Sequence, residues 1–406
     1  MIGSPGKNNH EKSENGVVVD ESVVDLQIYQ AIEERKVQNP DMDRLEEIKL
    51  VQDICKECLR AESLTEEMKK LYMDKLVQIG LEKQNIEDDG GEGSAATVRC
   101  RGHCLELQRA RGRNPSCEVC LGTIWKLVHL WRKCKFCGVR VHDGCSQNMQ
   151  RECAAEVAAR PGFSLRTEIC EERGLAQQGY RCAECAQPLA FESEAKSFEP
   201  RLCDYSGLYF CSSCHWNDEM AIPARLLHNL DAQPRLVSRA AKQLLTVVDN
   251  RPLLAPVLSN PQLVRLNSSL KALDKMRRDF LYMKCYFISC AAARHLRILQ
   301  HLYRHQHFVE DSQFYSVAEL RNVVSGRLLP EIIDIHAVFR RHIEEECETC
   351  RGNGFYCQLC SEQQIIFPFT EGTEICGGCY AVMHDKCFRL KGRQCPRCER
   401  RRKKMA

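Results

Sequence analysis

No apolar run in this sequence approaches the ~18 residues that a membrane-spanning helix needs. The first residues, MIGSPGKNNHEKSENG, lack the charged-then-apolar order of a secretory signal. The chain is therefore read as cytoplasmic, with any membrane contact peripheral. Aromatics make up only 7% of the residues, and the net charge of +3 gives no ground for a nucleic-acid partner. No GxSxG, P-loop or HExxH string occurs, so nothing in the sequence points to a hydrolase, a kinase or a zinc protease.

Cysteine is in excess. There are 27 in 406 residues, mostly as Cys-x2-Cys pairs beside Cys-His pairs. With no secretory signal, disulfides are disfavoured. Short knuckles bearing soft ligands suit tetrahedral zinc instead. The spelling Cys-x2-Cys-x4-His-x2-Cys occurs twice, as CKFCGVRVHDGC at 134–145 and CGGCYAVMHDKC at 376–387.

Charge is unevenly spread. Residues 1–98 carry 12 Lys/Arg against 22 Asp/Glu, so an arm of net −10 precedes a body of net +13. Residues 1–20 are polar and expected to be disordered. The region 21–86 shows helical spacing (Leu26, Tyr29, Ile32; Leu45, Ile48, Val51, Ile54; Leu64, Met68, Leu71, Leu76, Ile79). Cys55 and Cys58 lie within it and read as packing. Residues 87–98 form a linker. A cysteine module follows at 99–153 and a second cluster at 170–215. A helical block spans 219–346, a third cluster 347–398, and a basic tail 401–406. In the block, Leu270, Leu273, Met276, Phe280 and Phe287 form one apolar stripe; Leu320, Val323, Val324, Leu328, Ile332, Ile335 and Phe339 form another. His295, His301, His305 and His307 are read as surface residues of a helix, and Cys285 and Cys290 as core, though either could supply a missing ligand. The fold class is mixed: α-helices plus small zinc-stabilised β modules.

The first module offers His103, Cys117, Cys120, Cys134, Cys137, His142, Cys145 and Cys153, eight ligands for two tetrahedral sites. The second offers Cys182, Cys185, Cys211 and Cys214, with Cys203 and His215 competing. The third holds nine cysteines and one histidine. Cys357 and Cys360 can pair with His384 and Cys387, and Cys376 and Cys379 with Cys395 and Cys398. Cys347 and Cys350 then need partners from elsewhere, a remote Cys or His. Two zinc ions in the first module and at least two or three more beyond it are expected. Every position at such sites is filled by protein, which leaves no place for a reactive water.

The first module resembles the C1 domain, the phorbol-ester and diacylglycerol finger. That resemblance implies interleaved sites, His103/Cys134/Cys137/Cys153 and Cys117/Cys120/His142/Cys145. Trp125 fits the pattern, but lipid-binding members carry Gln-Gly where this chain has Leu130 and Trp131, so the finger is read as diacylglycerol-insensitive. A basic patch of Arg109, Arg111, Arg113, Arg132, Lys133 and Lys135 could touch anionic membrane or the acidic arm.

RLCDYSGLYFCSSCH, QIIFPF and CETCRGNGFYCQLC, with the closing RQCPRC, resemble the Rubicon-homology domain of Rubicon, Pacer and the pleckstrin-homology family M proteins, here over 165–400. The resemblance implies a binding protein rather than an enzyme. Its partners would be a GTP-bound late-endosomal Rab GTPase and a pleckstrin-homology family M protein. Its place would be on late endosomes and lysosomes, in lysosome positioning and osteoclast ruffled-border formation. Arg351, Phe355, Arg389 and Lys391 are candidate surface residues. Two rival readings remain. The third cluster could be a RING- or PHD-like ubiquitin ligase, or a chromatin reader using Phe355, Tyr356, Phe367 and Phe369 as an aromatic cage.

Overall fold

The computed structural model describes residues 21–36, 44–61, 64–88, 97–108, 114–124, 130–190 and 199–405. The expected disorder of 1–20, most of the linker, Arg109, Arg111, Arg113 and Trp125 lie outside them. The chain divides into two compact units, 1–159 and 160–406. No helix among the described residues is long and apolar enough to cross a membrane.

Unit one opens with three helices, α1 (Glu21–Lys36), α2 (Arg44–Leu59) and α3 (Glu66–Asp88). Their shared core is Val24, Ile28, Ile32, Ile48, Val51, Ile54, Cys55, Tyr72 and Ile79, with Cys58 packed against it. The buried stripe of α1 therefore runs at i, i+4, i+8 from Val24, and Leu26 is 42% exposed instead of forming the expected face. Burial pushes the Cys55 thiol up to about 12, so it stays neutral and packs as an apolar group. Asp25 and Lys75 form a buried ion pair at 3.0 Å between α1 and α3.

The rest of unit one is an antiparallel sheet in the order β1 (Val98–Cys100), β2 (His103–Leu107), β3 (Trp131–Cys134) and β4 (Arg140–His142), followed by a 3-10 turn (Asp143–Asn148) and a short helix α4 (Ala154–Ala159). Leu105 faces Cys134, and Trp131 faces His142. Trp131 is buried, and the carbonyl of Leu130 accepts the amide of Asp143 at 2.9 Å. Where lipid-binding C1 fingers have a glycine, a large indole packs here.

Unit two begins with two hairpins, β5 (Arg201–Cys203) with β6 (Leu208–Phe210), and β7 (Asp218–Ala221) with β8 (Pro234–Val237). Helix α5 (Pro223–Asn229) lies between β7 and β8, and α6 (Arg239–Val248) follows, its N-terminus capped by Ser238. The helical block continues with α7 (Pro256–Ser259), α8 (Pro261–Leu266), α9 (Ser268–Ser289) and α10 (Ala291–His295). A kinked 3-10 stretch (Ile298–Val309), α11 (Val317–Val324) and α12 (Leu328–Arg341) complete it. α9 and α12 pack through the expected stripes, with Phe339 edge-on to Phe280 and Phe287 at centroid distances of 5.3 and 4.8 Å. Val324 departs from its stripe and is 44% exposed. A π turn (His342–Glu346) leads into α13 (Glu348–Gly352), then β9 (Thr373–Ile375), β10 (Val382–His384), α14 (Asp385–Leu390) and α15 (Pro396–Met405).

The expected surface placement of the histidines holds for His295 and His301 and fails for His305 and His307. The chain kinks at Tyr303 (φ 23°), which turns the next turn inward. His305 Nδ1 then lies 2.6 Å from Oε1 of Glu319 and His307 Nε2 3.2 Å from Oε2. Phe367 and Phe369 stack on each other and meet Tyr286 of α9 edge-on at 5.9 and 6.0 Å. They are core residues, unavailable as an aromatic cage.

Candidate metal centres

Four of the Cys-x2-Cys pairs are built as the same backbone knuckle. In each, the first cysteine's amide bonds the carbonyl five residues on, and its carbonyl accepts the amide four residues on. This is seen at Cys117 (Gly122, Leu121), Cys134 (Val139, Gly138), Cys182 (Gln187, Ala186) and Cys376 (Ala381, Tyr380). The fourth residue on is left-handed each time: Leu121, Gly138, Ala186 and Tyr380 have φ of 66°, 76°, 60° and 59°. The knuckle points both thiols to one side, which is what the local spacing encodes.

The knuckles converge into clusters whose ligand atoms all lie within 4.8 Å of one another. In unit one these are His103/Cys134/Cys137/Cys153 and Cys117/Cys120/His142/Cys145. In unit two they are Cys182/Cys185/Cys211/Cys214, Cys290/His342/Cys347/Cys350 and Cys357/Cys360/His384/Cys387. Cys376 meets Cys398 at 3.7 Å and Cys379 meets Cys395 at 3.5 Å, joining those four as well. None of the 27 cysteines is in a disulfide.

The spacings fit zinc. Sulfurs each ~2.3 Å from a tetrahedral zinc stand roughly 3.8 Å apart, whereas a disulfide would bring them to ~2.05 Å. The observed separations include 3.9 Å for Cys134–Cys153 and 3.6 Å for both Cys185–Cys211 and Cys290–Cys347. The histidines are oriented from behind. His103 Nε2 is 3.2 Å from the carbonyl of Arg151 while Nδ1 faces Cys137 at 3.3 Å. His142 Nε2 is 3.4 Å from the carbonyl of Thr123 while Nδ1 faces Cys120 at 3.3 Å. Such outer partners fix which nitrogen is presented to a metal.

Several clusters hold one thiol predisposed to ionise. A hydrogen bond with Cys137 is the main influence bringing Cys134 down to about 3; burial opposes it and His103 assists. Burial raises Cys117, but the bonds from His142 and nearby amides outweigh it and lower it to about 6. Cys376 is likewise lowered to about 7 by backbone and thiol bonds acting against burial. Thiolate is the form that a soft cation binds.

In the middle cluster the four sulfurs of Cys182, Cys185, Cys211 and Cys214 come together without Cys203 or His215. His215 uses both ring nitrogens on backbone, Nε2 at 3.1 Å from the carbonyl of Leu202 and Nδ1 at 3.1 Å from the amide of Asn217. Cys203 is buried in the β5–β6 hairpin outside the group. Cys347 and Cys350 come together with Cys290 and His342, whose Nε2 lies 3.6 Å from the sulfurs of Cys290 and Cys350. Cys290, read as core with the option of supplying a missing ligand, is buried and takes the second role, while exposed Cys285 does not; His342 went unnoticed. A signal existed: His342-x4-Cys347-x2-Cys350 is the reverse of the Cys-x2-Cys-x4-His spelling found elsewhere. In the basic patch of the first finger, Arg132 is paired with Asp143, and Lys135 lies 3.8 Å from Glu106.

The model of the Rubicon Homology Domain matches residues 201–403, half of the chain. A "Differentially expressed in FDCP 8 homolog" of Caenorhabditis elegans is 51% identical over 345 residues, covering 82% of this chain and 71% of that one. The chain belongs to the Rubicon homology domain family. A Drosophila melanogaster protein of the same name is 38% identical over 72% of this chain and 59% of its own. The human pleckstrin homology domain-containing family M member 3 is 34% identical over 59% of this chain, but that covers only 31% of the human protein. The phorbol esters/diacylglycerol binding domain (C1 domain) matches residues 108–156. The expected pairing of a C1 finger with a Rubicon homology domain is thus found.

Proposed function

We propose that this chain is a non-enzymatic zinc-binding adaptor of the endolysosomal system. Each of the six clusters holds one Zn²⁺ with four protein ligands, and the Rubicon homology domain binds a GTP-bound Rab GTPase on late endosomes or lysosomes. The carrying observation is the match over 201–403 to the Rubicon Homology Domain, in a unit whose Cys/His groups are each complete. A structural zinc with four protein donors has no open position for a water or substrate, so its contribution is to folding. Clusters of this kind contribute on the order of 10 kcal/mol each to a module with little apolar core. Relationship to pleckstrin homology domain-containing family M proteins supports a shared adaptor role, and one such protein is proposed as a partner. Lysosome positioning and ruffled-border traffic in osteoclasts are the processes proposed for it.

The test is a pull-down of the full chain against a panel of Rab GTPases in both nucleotide states. Selective recovery of one or a few late-endosomal GTPases in the GTP form is expected. Equal recovery of GDP and GTP forms, or none, removes the effector role.

A further inference from the structure

The two last clusters are bridged by one short stretch. Cys387 in α14 belongs to one, and Cys395 and Cys398 belong to the other. Between and beyond them, residues 386–404 hold ten Lys/Arg and a single acidic residue, Glu399. Ten cations less one carboxylate give this short stretch a net +9 in a chain of net +3. Three of the ten are engaged: Arg389 with Asp385 at 2.7 Å, Arg393 with Glu374 at 3.4 Å, and Arg400 with Gln358 at 2.8 Å. The other seven, Lys386, Lys391, Arg397, Arg401, Arg402, Lys403 and Lys404, are exposed and make no side-chain hydrogen bond or ion pair among the described residues. The helix macrodipole favours cations in the last turn of α15, but that effect is confined to one turn and does not account for Lys386, Lys391 or Arg397. Leu390, at the end of α14, is 87% exposed, and Tyr380, on the Cys376 knuckle, is 72% exposed. The thiol clusters hold this stretch in place, with Gly378 against the sulfur of Cys398 where α15 begins.

We propose that this C-terminal module is an electrostatic docking surface for an anionic lipid bilayer, with α15 supplying the charge and Leu390 the apolar contact. Unpaired cations suit a diffuse negative surface, and four of the seven are strongly hydrated lysines, in which the cores of protein–protein interfaces are depleted. An exposed aliphatic side chain beside the cations finds hydrocarbon in a membrane and no counterpart on a nucleic acid. Cations at a bilayer act additively and are screened over a Debye length, so binding depends on both residue number and salt. In the first finger, by contrast, Arg132 and Lys135 already have carboxylate partners. The inference does not depend on the GTPase reading.

The experiment is co-sedimentation of the zinc-loaded full chain with vesicles of phosphatidylcholine alone or mixed with phosphatidylserine. It compares wild type with R401Q/R402Q/K403Q/K404Q and with Leu390→Ser. The four substituted cations lie past the last cysteine on an exposed helix, so zinc content and circular dichroism should be unchanged, and both are measured. Phosphatidylserine-dependent binding is expected, weakening steeply as salt rises to ~0.15 M. The quadruple variant should bind at least about tenfold less well. Leu390→Ser should weaken binding several-fold without changing its salt dependence. No phosphatidylserine dependence, a quadruple variant that sediments like wild type, or tighter binding to a DNA duplex than to vesicles at equal salt would each overturn the proposal.

Discussion

The sulfur of Cys290 lies 3.6 Å from Nε2 of His342, although 52 residues separate them. Cys290 ends α9 and caps α10 through the amide of Ala293, while His342 ends α12. With Cys347 and Cys350, the pair ties α9, α12 and α13 at one point. If a metal sits there, Cys290→Ala and His342→Ala should each lower zinc content by about one ion per chain. Each should also destabilise unit two by at least about 3 kcal/mol, because a buried, incomplete thiolate set replaces a closed site. The neighbouring exposed Cys285 is the control, and Cys285→Ser should stay within about 0.5 kcal/mol of wild type. Elemental analysis with urea denaturation measures both; unchanged zinc in the Cys290 and His342 variants would count against this site.

That site also marks where the sequence stopped being informative. The knuckle pairs were legible because their spacing is local, and the interleaving of the third cluster followed from counting ligands four at a time. His342 carries a local spacing signal with Cys347 and Cys350, but Cys290 joins them only once α9 and α12 have packed, which no short-range pattern reports. The phase of α1 was missed for a related reason. Leu26, Tyr29 and Ile32 fit a helical face as well as Val24, Ile28 and Ile32 do, and packing against α2 and α3 decides between them. His305 and His307 were misplaced because a regular helix was assumed where the backbone kinks at Tyr303.

The shared knuckle makes a backbone prediction. Its fourth position is left-handed, a conformation costing a side-chain-bearing residue roughly 1 kcal/mol relative to glycine. Ala186 occupies that position at φ 60° and is exposed, so Ala186→Gly should stabilise the protein by about 0.5–1 kcal/mol. Gly138, at φ 76°, has only the tip of Lys133 within 4.0 Å of a built Cβ. Gly138→Ala should therefore cost about 1 kcal/mol from backbone strain alone. Paired denaturation curves decide this, and the same sign for both substitutions would refute it.

Trp131 bears on lipid binding by the first finger. Its indole is buried in the sheet and β3 is held to the following turn through the Leu130 carbonyl. The full chain should therefore show no saturable phorbol-ester binding. Trp131→Gly should cost about 3–5 kcal/mol by emptying a packed site. Radiolabelled phorbol ester retained by the zinc-loaded wild type at nanomolar concentration would contradict this reading.

Glu319 gives the pH prediction. Its carboxylate accepts from the amide of Ser316 at 2.8 Å, completing the capping box of α11, and faces His305 and His307. Burial would raise its pKa, but the two histidine contacts and the Ser316 amide outweigh it and hold the carboxyl at about 2. A carboxyl depressed on folding stabilises the folded state fully above its unfolded pKa of ~4.3 and loses that stabilisation as pH falls toward the folded value. The shift corresponds to roughly 3 kcal/mol. Glu319→Gln keeps the shape but removes the charge and leaves two histidines facing a neutral amide. It should cost about 2–3 kcal/mol at neutral pH, and the gap from wild type should close between about pH 4.5 and 2. Because acid also strips thiolate-bound metal, wild type and variant are compared at each pH, where that loss is common to both. A gap that stays constant across the window would mean that Glu319 acts through packing rather than charge.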